Sequence, residues 1–253
     1  MSGKVFLIGA GPGDPELMTL RALRMLQEAD VVVYDRLVSD DILAMHAEKA
    51  RLIPVGKAPK CHTVPQDRIN EILLEEARAG HTVARLKGGD PMIFGRGSEE
   101  AAYLVAHGVT VEYAPGITAA QGASCSTGVP LTHRGLATSV QYVTGHRQED
   151  KVLDLDWKRL ADPDSTLVVY MGVANIGQIA MGLMTENLPG STPVLAVSKA
   201  TTRAERRIVS RLDRLATDVR SAALEAPTLF IIGQVVSLYA ERSVAELMEQ
   251  AHG

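Results

Sequence analysis

Between Val5 and Tyr113 short β-branched runs alternate with longer amphipathic stretches, and this alternation narrows the possible folds more than any other feature. Val5–Ala10, Val31–Tyr34, Leu52–Val55, Thr82–Leu86 and Val109–Tyr113 read as strands. Asp14-Pro15-Glu16 opens a helix, with Asp14 as N-cap, Pro15 at the first helical position and Glu16 at the positive end of the dipole. Leu17, Leu20, Leu23 and Leu26 then follow at helical spacing. Gln66–Ala79 is a second amphipathic helix stopped by Gly80, and Glu99–Ala106 a third stopped by Gly108. Strands separated by helices pair in parallel, because the crossover must carry the chain back before the next strand begins. The first half should therefore be a parallel sheet with helices on both faces.

Pro115-Gly116 breaks this rhythm and reads as a domain junction. Beyond it, Ser139–Thr144, Thr166–Met171, Pro193–Ser198, Arg206–Ser210 and Thr228–Ile232 are strand candidates. The short Lys199–Glu205 connection predicts a hairpin and some antiparallel pairing. The expected architecture is α/β, with two α/β domains. Residues 1–114 form a mostly parallel N-terminal domain and residues 115–253 a mixed-sheet C-terminal domain, with the active site in the cleft between them.

Bulk properties exclude several classes. A net charge of −4 and few aromatic residues (4%) argue against a nucleic-acid surface or base-stacking platform. No apolar run approaches the roughly 20 residues that span a bilayer, and the N-terminus lacks a secretory leader pattern. Cys61 and Cys125 are far apart and outside any CxxC pair, so a disulfide framework is not expected. These features favour a cytoplasmic protein without membrane or nucleic-acid partners.

Three glycine-rich segments follow strands. Gly9-Ala10-Gly11-Pro12-Gly13-Asp14 half-matches a dinucleotide fingerprint, but Asp14 replaces the third glycine and sets negative charge where a pyrophosphate would sit. A nicotinamide cofactor is disfavoured, and a tight turn without ligand stays open. Arg85-Leu86-Lys87-Gly88-Gly89-Asp90-Pro91 pairs two glycines that allow close ligand approach. Phe94-Gly95-Arg96-Gly97 frames Arg96 with little cover, so it should be exposed; a solvated surface charge is the plain alternative. Glu99 and Glu100 in a first helical turn need no role beyond the dipole. Pro115-Gly116-Ile117-Thr118-Ala119 and Pro130-Leu131-Thr132-His133-Arg134-Gly135 complete the loops, and His146 ends a strand. The histidines show no metal-ligand spacing, and neither a phosphate-cradling loop nor a nucleophile elbow occurs.

Together with Tyr34-Asp35-Arg36-Leu37-Val38 and Thr144-Gly145-His146, these stretches in this order resemble the tetrapyrrole methylase family, from about Gly3 to Ser237. The Tyr-Asp-Arg-Leu, Gly-Arg-Gly and Thr-His-Arg-Gly stretches look like the members that methylate uroporphyrinogen III. The resemblance implies transfer of two methyl groups from S-adenosyl-L-methionine to carbons 2 and 7 of uroporphyrinogen III. The products would be precorrin-2, by way of precorrin-1, and S-adenosyl-L-homocysteine, in cobalamin, sirohaem or haem d1 formation. It implies no metal, a homodimer, and a monofunctional enzyme without the dehydrogenase–chelatase module of fused sirohaem enzymes.

By the same resemblance, Pro12, Gly88, Gly89, Asp90, Ile93, Thr118, Ala119, Met171, Ala200 and Thr228 would line the donor site. Arg96, Glu99, Arg134, His146 and Met171 would meet the tetrapyrrole, with Arg96, Glu99 and Asp35 in the chemistry. Arg96 matches the position proposed in the family to take the proton. A side chain with a pKa above about 12 is a poor base, so an electrostatic or anchoring role is the physical reading. One departure stands out: the family's Gly-Lys-Arg run is here Gly56-Lys57-Ala58-Pro59-Lys60-Cys61, with Lys60 as a substitute cation. The alternatives are a precorrin methyltransferase of the same family and a nicotinamide-dependent oxidoreductase.

Overall fold

The computed structural model describes residues 3–56, 64–146 and 153–239. The substituted run from Lys57 to Cys61 lies outside them. Two compact units emerge, Met1–Ala119 and Ala120–Gly253.

Unit 1 runs β1 (Lys4–Gly9), α1 (Leu20–Glu28), β2 (Val31–Tyr34), α2 (Asp40–Leu43), β3 (Arg51–Pro54), α3 (Gln66–Arg78), β4 (Thr82–Lys87), α4 (Gly97–Ala106) and β5 (Thr110–Ala114). Its five strands lie in the order β3-β2-β4-β1-β5, every neighbouring pair parallel. Both faces are covered, as the β-branched runs require. Phe6, Ile8, Val32, Ala84 and Leu86 pack with Met25, Leu26 and Ile42 of α1 and α2. The alternate residues Val5, Val31, Val33 and Val83 pack with Ile69, Leu73 and Leu104 of α3 and α4. Each such fully buried aliphatic side chain contributes roughly 1.5–3 kcal/mol, so the central strands anchor the unit.

The sheet order also fixes where a ligand can sit. The chain leaves β1 toward β2 on one side and leaves β4 toward β5 on the other. Adjacent parallel strands whose connections depart in opposite directions open a crevice beyond their carboxyl ends, here beyond β1 and β4.

One helix differs from expectation. The stretch from Asp14 is broken into a single 3-10 turn, Pro15–Leu17, and a separate α1. Asp14 Oδ1 accepts the Glu16 N–H at 2.9 Å and caps the turn. Thr19 Oγ1 accepts the Ala22 N–H at 3.1 Å and starts α1. Leu20 is consequently 87% exposed, while Ala22, Met25 and Leu26 face the sheet. The leucine spacing was continuous, but two competing caps set the boundary.

Unit 2 holds nearly all of α5 (Ala119–Thr127), then β6 (Ser139–Thr144), α6 (Trp157–Leu160), β7 (Ser165–Tyr170), α7 (Ile176–Thr185), β8 (Pro193–Ser198), β9 (Arg206–Arg211), α8 (Leu215–Ser221) and β10 (Thr228–Ile232). The strand order is β6-β7-β10-β8-β9. β6 and β7 are parallel and the other pairs antiparallel, including the expected β8–β9 hairpin. Leu167, Val169, Ile179, Leu183, Leu215 and Phe230 centre its core. Among the described residues, no helix is long and apolar enough to cross a membrane.

Candidate active site

The loops beyond β1 and β4 are stitched to one another by backbone. Gly11 and Gly89 exchange reciprocal hydrogen bonds of 3.1 and 2.7 Å, and the Ala10 N–H donates to the Lys87 carbonyl at 2.8 Å. The loop beyond β5 joins them through Asp90. Its Oδ1 accepts the Met92 N–H at 2.8 Å and its Oδ2 accepts the Gly116 N–H at 2.9 Å. Sequence reasoning had Asp90 as a donor-binding residue; here both carboxylate oxygens already organise backbone. Asp90→Ala strips two orphaned N–H groups of their acceptor, at about 1–3 kcal/mol. Its melting temperature should fall below that of Asp90→Asn, which retains an amide oxygen, and equal melting curves would show that the staple contributes nothing.

The glycines of these loops divide into two kinds. A Cβ on Gly9 would lie 2.4 Å from Gly116 N, one on Gly116 2.1 Å from Gly89 O, and one on Gly88 2.8 Å from Leu37 Cβ. Gly95 and Gly97 are pressed onto the Pro91 carbonyl in the same way. Those glycines are required by packing of the chain on itself, Gly9, Gly88 and Gly116 against other segments and Gly95 and Gly97 within their own loop. Gly89 is different: its φ is +69°, and a Cβ there would meet nothing closer than Ala119 N at 3.9 Å. Of the two glycines assigned to the donor site, Gly89 alone has an open side.

Arg96 is the left-handed N-cap of α4, with φ +57°, and Phe94 two residues earlier has φ +52°. Left-handed residues with side chains cost about 1–2 kcal/mol each and concentrate where function over-determines the backbone. Arg96 and Glu99 form an exposed i,i+3 pair, Arg96 Nε 3.1 Å from both carboxylate oxygens and an Nη at 2.6 Å. The hydrogen bonds Arg96 donates to Glu99 raise the Arg96 pKa, and the same bonds hold the Glu99 carboxyl below its ordinary range. Arg96 is thus exposed, as its glycine frame suggested, and firmly cationic.

Behind this loop lies a charged set of which sequence reasoning assigned only Asp35. Arg85 and Lys87 alternate with Leu86 on β4, so both point to the α3–α4 face, and their side chains are 1% and 5% exposed. Glu100, on the first turn of α4, is fully buried. Its Oε1 accepts from Lys87 Nζ (2.9 Å), Gln66 Nε2 (3.1 Å) and Arg85 Nε and Nη2 (3.2 Å each). Asp35, at the end of β2, takes Arg85 Nη2 at 2.7 Å and stands 3.6 Å from Lys87 Nζ. The reading of Glu100 as a dipole-stabilised surface acid is therefore corrected: it is the buried counter-ion of two strand cations. Two charges inside an otherwise apolar strand were the available signal. Burial, reinforced by Arg85, lowers the Lys87 pKa, while Glu100 and Asp35 oppose that.

The register gathers the unit 1 candidates. Pro12, Asp35, Gly88, Gly89, Asp90, Ile93, Arg96, Glu99, Thr118 and Ala119 all lie in loops beyond the carboxyl ends of β1, β2, β4 and β5 or at the helix entries those loops feed. In unit 2, Met171 follows β7, His146 follows the parallel β6, and Ala200 follows β8. Thr228 begins the antiparallel β10 opposite Ser198, so these four share one end of the mixed sheet. Met171 is half exposed at φ +53°, and Lys199 and Thr201 beside Ala200 are also left-handed. Arg134 belongs elsewhere in the topology. It sits in an exposed turn bridged between His133 and Ala137, leading into the start of β6 rather than following its end. Among the described residues, no cluster of His, Cys, Asp and Glu is placed to hold a metal.

Comparison with known proteins extends this picture. A family model described as Tetrapyrrole (Corrin/Porphyrin) Methylases matches residues 4–216. The chain is 56% identical over 236 residues to the uroporphyrinogen-III C-methyltransferase of Paracoccus denitrificans, covering 93% of this chain and 82% of that one. It is 49% identical over 239 residues to the siroheme synthase of Nitrosospira multiformis, covering 94% of this chain but only 50% of that longer protein. The crystal structure of uroporphyrin-III C-methyl transferase from Thermus thermophilus complexed with S-adenyl homocysteine superimposes with a TM-score of 0.80. That pair is 43% identical and covers 93% and 94% of the two chains. A parallel and a mixed α/β unit, glycine loops at the strand ends and identity sustained across nine-tenths of the sequence agree: the chain belongs to the tetrapyrrole methylase family.

Proposed function

We propose that this chain transfers methyl groups from S-adenosylmethionine to carbons 2 and 7 of uroporphyrinogen III, giving precorrin-2 through precorrin-1. The observation that carries this reading is the 56% identity to a uroporphyrinogen-III C-methyltransferase over 93% of the chain. The open side of Gly89 supports it, since the donor needs a place where backbone can be approached without a side chain between.

The sulfonium is a strong electrophile with a neutral leaving group, so catalysis reduces largely to holding the methyl group in line with a pyrrole carbon. Gly89, Thr118 and Ala119 in unit 1 and Met171, Ala200 and Thr228 in unit 2 would contact the donor, with Pro12, Gly88 and Ile93 completing the wall and Asp90 fixing its shape. The exposed Arg96 guanidinium suits a carboxylate of the macrocycle, for which arginine offers a planar bidentate fork. Asp35 and Glu99 would stand with Arg96 in the chemistry on the tetrapyrrole side. His146 and Arg134 would contribute to the substrate side, and the enzyme would work as a cytoplasmic homodimer.

The test is incubation with uroporphyrinogen III and isotopically labelled donor, followed by mass measurement. Two labelled methyl groups on the macrocycle are expected. Transfer to a precorrin but none to uroporphyrinogen III would overturn the substrate assignment.

A further inference from the structure

Arg85 and Lys87 converge on two carboxylates of different standing. Glu100 is enclosed, whereas Asp35 is 29% exposed at the rim where β2 ends. Glu100 spreads itself unevenly. Its Oε1 serves four donors from three side chains, while its buried Oε2 has no protein partner. A carboxylate placed to satisfy its own hydrogen bonds would divide the donors between both oxygens. This one is placed to line up two cations. Filling the same space with apolar side chains would spare the desolvation of buried charge, so the set calls for a purpose beyond packing. Its only partly accessible member is Asp35, each of whose oxygens faces one of the cations.

We infer that Arg85, Lys87 and Glu100 are positioning residues for Asp35: the two cations orient its carboxylate at the rim, and Glu100 holds the two cations in place in the interior. The inference rests on the reading above that Asp35 acts in methyl transfer.

The surrounding charges are few. Arg96 and Glu99 stand at the entry of α4, and Asp67 on α3 acts on Arg96. Glu99 also feels Lys87. Gln66 and Asn70 of α3 are uncharged and hydrogen-bond one another at 3.2 Å. Lys87 is the member whose charge is least secure, because burial and Arg85 both favour loss of its proton and Glu100 and Asp35 restrain it. Removing the Glu100 charge takes away the first of those restraints, so Lys87 should deprotonate at lower pH and release Asp35.

The experiment is a pH–rate profile of the full chain with uroporphyrinogen III and S-adenosylmethionine. Glu100→Gln should lower kcat and move its alkaline limb to lower pH by about one unit or more, with KM for the donor little changed. Lys87→Met should lower kcat and abolish that limb, because the group that titrates is gone. Rate losses with limbs left at their wild-type positions would reduce the set to structural support and overturn the inference. If Glu100→Gln does not fold, Lys87→Met decides the matter alone. Asp35→Asn separates the two layers. Wild-type turnover in that variant would remove Asp35 from the site, whereas a dead Asp35→Asn beside unshifted profiles would sink only the positioning role.

Discussion

Arg96→Ala is expected to lower turnover by about a hundredfold or more, the loss typical of deleting one preorganised electrostatic donor, while S-adenosylhomocysteine still binds. The structure separates side-chain loss from backbone effects at this position. Arg96 holds φ +57° as the N-cap of α4, and alanine there is strained to a similar degree. Arg96 makes no side-chain cap bond, so the helix start does not depend on its guanidinium. What disappears is an exposed cation held in place by Glu99. The same pair rules on its chemistry. Hydrogen bonding to Glu99 pushes the guanidinium further from deprotonation, so Arg96 carries charge at every practicable pH and serves as an anchor rather than a base. Arg96→Lys keeps the charge but loses the planar fork, and should recover part of the rate with no new pH dependence. Wild-type turnover in Arg96→Ala would remove Arg96 from the site altogether. Loss of donor affinity equal to the loss of rate would move it to the donor.

How much of this was visible in the sequence follows from what each signal measures. The strands were legible because a strand buried on both faces must be β-branched and apolar throughout its length, and Val31–Tyr34 and Thr228–Ile232 have few other readings. The β8–β9 hairpin was legible from the seven-residue interval between its strands. The start of α1 was not, because apolar spacing says nothing about which of two caps will win. The sequence marked the glycines of these loops, but not which of them the chain's own packing requires. Gly9, Gly88 and Gly116 face other segments of the same chain, while Gly95 and Gly97 face Pro91 of their own loop, and only the folded register shows this. Glu100 was misassigned because a single helix turn was considered without the strand beneath it. Arg85 and Lys87 were quoted as part of a loop signature, yet their alternation on β4 buries them. The candidate residues of unit 1 lie near one another along the chain's fold because loops beyond parallel strands share one edge. Arg134 follows no strand end, so that logic does not reach it.

Gly89→Val should weaken S-adenosylhomocysteine binding by about a hundredfold or more, on the order of 3 kcal/mol, and leave a folded protein. Two costs must be distinguished. The first is conformational: φ at Gly89 is +69°, so any side chain adds about 1–2 kcal/mol of strain, more for a β-branched one. A domain stable by roughly 5–15 kcal/mol survives that. The second is steric and falls on the ligand. With the nearest protein atoms at 3.9 and 4.0 Å, a Cβ at this position makes only ordinary van der Waals contacts, so the protein itself leaves room for it. Gly89→Ala shares the strain but carries less bulk, so it should bind more tightly than valine; equal weakening would assign the loss to the backbone. Gly116→Ala provides the opposite case. Its Cβ would fall 2.1 Å from Gly89 O, so the loops must separate, and its melting temperature should drop before any ligand is added. Calorimetric titration with S-adenosylhomocysteine beside thermal unfolding of all three variants resolves the matter. A folded Gly89→Val with wild-type affinity would mean that the open side of Gly89 faces solvent and that the donor lies elsewhere.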